Sequence, residues 1–135
     1  MSFTFGKTSL NRLATCDQRL QDIAKKALED SPYDFAITCG HRDKVEQDRC
    51  CAEGLSKTPW PTSKHNSFPS RAFDFVPVVD GKADWNNIQA FKDVAHHILM
   101  TGDLMCMSVR WGGDWNCNGL QDEKFIDMPH IELKG

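Results

Sequence analysis

One acidic residue inside an apolar strand constrains this chain more than any other feature. The run Ala72-Phe73-Asp74-Phe75-Val76-Pro77-Val78 has the composition of a strand. Ala72, Asp74 and Val76 share one of its faces, and Phe73 and Phe75 take the other. A carboxylate in the middle of such a strand is costly to bury unless it meets a partner or a metal. The polar stretch just before it holds His65, and the end of the chain supplies Asp127-Met128-Pro129-His130-Ile131-Glu132-Leu133. His65, Asp74 and His130 together offer two imidazoles and a carboxylate. That donor set suits Zn²⁺ with a fourth position open to water. Asp127, three residues before His130, suits the base that deprotonates such a water. Glu132 shares the strand face of His130, so it is either the base or a partner for a ligand's second ring nitrogen. Spacing leaves that choice open.

The 135 residues make one domain the expectation, spanning 1–135. Apolar residues at 40% and charged residues at 26% suit a packed core. The formal net charge of -3 argues against a nucleic-acid partner, which selects for a basic face. No apolar run is long enough to span a membrane. The first residues, Met1 to Lys7, show neither an apolar h-region nor a small-residue cleavage site, so no secretory signal is expected. The six cysteines are then read as free thiols; Cys50 and Cys51 are adjacent, and no Cys-x-x-Cys spacing occurs.

Helices are expected near 8–14, over 17–30 with Asp17 as its cap, and from an Asp43 cap to about Glu53. Leu20, Ile23, Ala24, Ala27 and Leu28 give the second of these an apolar stripe. A long helix is expected from Trp85, capped by Asp84, to about Met100, with Gly102 as its stop and Trp85 and Ile88 in its core stripe. Strands are expected at 35–39, 72–78, 108–112 and 130–133, and Asp80-Gly81 reads as a hairpin turn. Without a regular βαβ rhythm this is α+β. Gly54 to Ser70 is a long loop, a place where function concentrates. Arg42 sits at a strand-to-helix corner and could offset an oxyanion or clamp a carboxylate. His96 and His97 point about 100° apart on a helix and are read as solvated, and His41 as a surface or supporting residue. Asp114-Trp115-Asn116-Cys117-Asn118-Gly119 matches the start of a Ca²⁺ loop, which Glu123 could close through Asp114, Asn116 and Asn118. Turn chemistry explains the same run without metal.

Taken together, Ser63-x-His65, Ala72-x-Asp74 and Asp127-x-x-His130 resemble the zinc signature of the VanX/VanY-type (D-alanyl-D-alanine) peptidase superfamily. Ser31-Pro32-Tyr33-Asp34-Phe35, Gly40-x-Arg42 with Gln47, Asp84-Trp85-Asn86 and Gly113-Asp114-Trp115-Asn116 bring the chain nearer to phage endolysins that are L-alanyl-D-glutamate peptidases. The resemblance implies a small α+β domain with helices against an antiparallel sheet, of the Hedgehog/D-Ala-D-Ala peptidase kind. It implies Zn²⁺ on His65, Asp74 and His130, with Asp127 as general base in preference to Glu132. Arg42 would stabilise substrate or transition state, and Ser63 and Trp115 would bind substrate. The interval from His65 to Asp74 is two residues longer than in many family members, which implies a bulge at Pro69. The implied activity is hydrolysis of the L-Ala–D-Glu bond of peptidoglycan stem peptides, by a monomer held in the host cytoplasm until a holin releases it to the wall. The alternatives are a D-alanyl-D-alanine carboxypeptidase on the same site and a non-catalytic wall-binding module on the same fold.

Overall fold

The computed structural model describes residues 3–114 and 127–134. Two short helices lead the chain: α1 (Lys7–Leu13) and α2 (Gln18–Glu29). The Asp17 side chain accepts the Arg19 amide at the start of α2, so the expected cap is in place. Leu20, Ile23, Ala24, Ala27 and Leu28 are all buried, as their spacing requires. Each fully buried Leu or Ile of this stripe stabilises the fold by about 1.5–3 kcal/mol.

Strand β1 (Asp34–Cys39) leads through the Gly40 corner into α3 (Lys44–Ala52), whose Asp43 cap accepts the Glu46 amide. After the long loop come β2 (Ala72–Val79), the two-residue β3 (Lys82–Ala83), α4 (Ile88–Leu104), β4 (Val109–Trp111) and β5 (His130–Leu133). The turn between β2 and β3 sets Asp80 and Gly81 at φ 52° and 78°, which fits the Asp-Gly pair. The strand order is β1-β2-β5-β4, with β3 hydrogen-bonded to β2, and every ladder is antiparallel. Helices α2 and α4 pack on each other and α1 lies on β1, which gives the expected α+β layering. Phe35, Phe73, Phe75, Ile98, Trp111 and Ile131 fill the space between them.

Helix α4 corrects two expectations. It begins at Ile88, not Trp85, because Asp84 Oδ1 accepts the Asn86 amide in a tight turn and Asn87 takes the cap by accepting the Ala90 amide. Trp85 and Ile88 therefore leave the core stripe and are 54% and 56% exposed. It also runs through Gly102. That glycine is buried, and a Cβ there would lie 3.0 Å from Val109 Cγ2 and 3.2 Å from the Met107 carbonyl. Its role is close approach to β4, not helix termination. Cys16, Cys39, Cys50, Cys51 and Cys106 are free thiols.

Candidate metal centre

Strand register brings the ends of the chain's two motif segments together. In the β2–β5 ladder Asp74 pairs directly with His130. The loop between α3 and β2 then folds back over this pair. Its shape comes from local bonds: Ser63 Oγ accepts the His65 amide, Asn66 Oδ1 accepts the Ser63 amide, and the Arg42 amide donates to the His65 carbonyl. The extra length before Asp74 bulges outward, leaving Phe68 73% exposed.

Three donor atoms converge as a result. His65 Nε2 lies 3.1 Å from Asp74 Oδ1 and 3.2 Å from His130 Nδ1, and His130 Nδ1 lies 3.4 Å from Asp74 Oδ1. Three ligands on a tetrahedral Zn²⁺ at about 2.0–2.1 Å stand about 3.3 Å apart. The far nitrogen of each ring is committed elsewhere: His65 Nδ1 donates to the Gly40 carbonyl at 2.7 Å, and His130 Nε2 donates to Glu132 Oε1 at 2.8 Å. Such bonds fix ring orientation and leave His65 Nε2 and His130 Nδ1 to the centre. The donor set and its supports thus fit a zinc ion.

Cys39 belongs to the same neighbourhood. Among the described residues, possible ligand atoms of Cys39, His65 and Asp74 all lie within 4.8 Å of one another. The thiol, however, meets His65 at Nδ1, 3.9 Å away, on the ring edge that holds the Gly40 carbonyl. The two nitrogens of one imidazole point along diverging lines. An ion on Nε2 with Asp74 therefore has His130, not Cys39, as its third protein neighbour. Cys39 is a residue the sequence reading missed, since nothing marks it beyond its place at the end of β1.

The charges around the centre are strongly coupled. Burial works against a charged His65, but the Asp74 carboxylate outweighs it and lifts His65 to about 10. Burial likewise opposes ionisation of Asp74, yet His65 and His130 hold it well below the usual carboxylate range. Asp127 moves the other way: burial first, then the charge of Asp74, raises its pKa. Its Oδ2 lies 4.0 Å from His130 Nδ1, at the open side of the cluster. Its amide donates to the Gly112 carbonyl and its carbonyl accepts the His130 amide, so the turn before β5 sets its position.

Arg42 reaches the same point from the opposite side. Its Nη2 is 3.5 Å from Asp74 Oδ2, and its Nη1 donates to Gln47 Oε1 at 2.9 Å. Gln47 is fully buried and ties the guanidinium to the loop by donating to Ser56 Oγ and the Thr58 carbonyl. Arg42, His65, Asp74, Asp127 and His130 open on a cleft of about 650 Å³, whose wall also includes Ser63, Lys57 and Trp85. Trp85 faces this cleft because α4 starts late. The expected substrate contact at Ser63 keeps its place on the wall, while Trp115 lies outside the described residues. So do Asn116, Asn118 and Glu123 of the expected Ca²⁺ loop; Asp114 is described, buried, with its amide donating to the Trp111 carbonyl. His41 Nδ1 donates to the Ser67 carbonyl, and His97 bonds Asp30 and the Ala27 carbonyl, so neither joins the centre.

Comparison with known proteins identifies the family. The family described as phage L-alanyl-D-glutamate peptidase matches residues 1–134. The chain belongs to that family. It is 39% identical over 137 aligned positions to the L-alanyl-D-glutamate peptidase of Escherichia phage T5, covering 98% of this chain and 99% of that one. The fold is also that of the Serratia marcescens L-Ala D-Glu endopeptidase ChiX, with a TM-score of 0.79, 24% identity, and coverage of 99% of this chain and 90% of that one. No helix among the described residues is long and apolar enough to cross a membrane.

Proposed function

We propose that this chain is a zinc-dependent endopeptidase that hydrolyses the L-Ala–D-Glu bond of peptidoglycan stem peptides, as a phage endolysin. The carrying observation is the convergence of His65 Nε2, Asp74 Oδ1 and His130 Nδ1 within 3.1–3.4 Å of one another, in a member of a peptidase family. These three residues would hold the ion. Bound there, zinc would supply a Lewis acid for the scissile carbonyl and make water a better nucleophile near neutral pH.

The chain's own groups do the rest. Asp127, partly exposed to the cleft and raised in pKa, takes a proton from the attacking water and passes it to the departing amine. Arg42 lies on the far side of Asp74, where its fixed guanidinium offsets negative charge on the substrate: the developing oxyanion or the free carboxylate of D-Glu. Gln47 keeps Arg42 from swinging away.

The metal assignment is tested by elemental analysis of protein purified without added metal, followed by chelation. Stoichiometric zinc, with lytic activity lost on chelation and restored by zinc, supports the reading. Full activity in rigorously metal-free protein removes it.

A further inference from the structure

Glu132 is buried in the wall of the cleft beside the centre, yet its bonds go to none of the three converging atoms. Its two oxygens have separate duties. Oε1 accepts from His130 Nε2 at 2.8 Å. Oε2 meets two cations, Arg110 Nη2 at 2.5 Å and Lys64 Nζ at 3.2 Å. Arg110 is its direct cross-strand partner on β4. Lys64 precedes His65 in the loop, and its ammonium also donates to the Leu133 carbonyl. Burial opposes a charged Glu132, but the bonds from His130 and Arg110 outweigh it and hold the carboxyl down at about 2.

We infer that Glu132 is a positioning residue that sets both imidazole ligands at once. Through Oε1 it fixes the rotation of the His130 ring and keeps the proton on Nε2, so that Nδ1 faces the centre. Through Oε2 and Lys64 it staples the His65 loop to β5. Strand β5 has His130 and Glu132 on one face, and the loop has Lys64 beside His65. One carboxylate therefore holds the two motif segments in a common frame. This assigns Glu132 away from the role of general base, since both of its oxygens are occupied and it is 6% exposed. The inference rests on the zinc reading above.

The test is zinc affinity, by competition with a chromophoric chelator, for the wild type, Glu132→Ala and Glu132→Gln, together with the visible spectrum of each Co²⁺-substituted protein. Thermal melts of the metal-free forms check folding. Loss of a partner that orients a metal-bound histidine costs about 10- to 100-fold in affinity. Glu132→Ala is expected to show that loss with an altered Co²⁺ spectrum. Glu132→Gln, which keeps an acceptor but loses the charge that holds Lys64, is expected to fall between it and the wild type. A wild type that binds no zinc sinks the metal reading itself. A wild type that binds zinc, with both variants folded and within twofold of it, overturns the role of Glu132 alone. If Glu132→Ala does not fold, the Gln variant decides: an unchanged affinity and spectrum overturn the inference.

Discussion

Metal binding at this centre must compete with a proton, and the structure sets the terms. Without metal, the Asp74 carboxylate lifts His65 to about 10, so near pH 8 the ring is protonated. A ligand nitrogen must be bare, so zinc expels that proton. Burial works against a charged His130 too, but its bonds to Asp74 and Glu132 outweigh it and raise its pKa as well. One released proton makes the apparent Kd for zinc about tenfold tighter per pH unit, or about 1.4 kcal/mol. From pH 7 to 9 the gain from the His65 proton is then about 100-fold. Titration calorimetry in buffers of different ionisation enthalpy reads the proton number directly. The same coupling has an opposite signature in the metal-free fold. A raised histidine stabilises the folded state fully below its unfolded value of 6.5, and that stability is lost as pH rises through about 10. Metal-free protein should therefore lose stability across that window, while the zinc form does not lose it in step. No proton release near pH 8, with an affinity flat from pH 7 to 9, refutes the coupling of His65 to Asp74.

Three substitutions probe other parts of the account. Asp127→Asn should lower kcat by about 10²–10⁴ while zinc affinity stays near that of the wild type, measured by stopped assay and chelator competition. With Asp127 as the proposed base, the wild-type acid limb should lie above the usual carboxylate range, because its carboxylate is free to accept a proton only above its raised pKa. Arg42→Met should lower kcat/KM by at least about 10²-fold without releasing zinc, as removal of a preorganised charge donor does elsewhere. Gly112→Ala should reduce activity although Gly112 contributes none of the three converging atoms: its new Cβ would lie 2.2 Å from the Asp127 carbonyl and displace the turn that positions this proposed base. A Gly112→Ala protein with wild-type kcat would show that the position of Asp127 is immaterial.

The candidate site was legible because its residues are out of place elsewhere. Asp74 in an apolar strand has no cheap bland explanation, and it drew His65 and His130 to it. The α2 stripe and the Asp17 and Asp43 caps were readable because they depend only on neighbours within one or two turns. The failures came where tertiary contacts decide. Trp85 fits the α4 stripe by spacing, but the Asp84–Asn86 turn diverts it to the cleft. Gly102 has the composition of a stop, yet packing against Val109 makes it an interior residue. The choice between Asp127 and Glu132 could not be made from spacing, since both lie close to His130 in the chain. Geometry favours Asp127 as the proposed base: Glu132 is occupied by His130, Arg110 and Lys64, whereas Asp127 is partly exposed at the cleft. Cys39 and the Gln47 brace on Arg42 depend on contacts made only in the folded chain.

The most direct test of the central claim is mass spectrometry of purified peptidoglycan digested with this protein, with and without a zinc chelator. The account predicts new L-Ala carboxyl and D-Glu amino termini, lost with the chelator and restored by Zn²⁺. Release of terminal D-Ala instead would keep the centre but contradict the bond assignment. An undigested wall in the presence of zinc would contradict the peptidase reading.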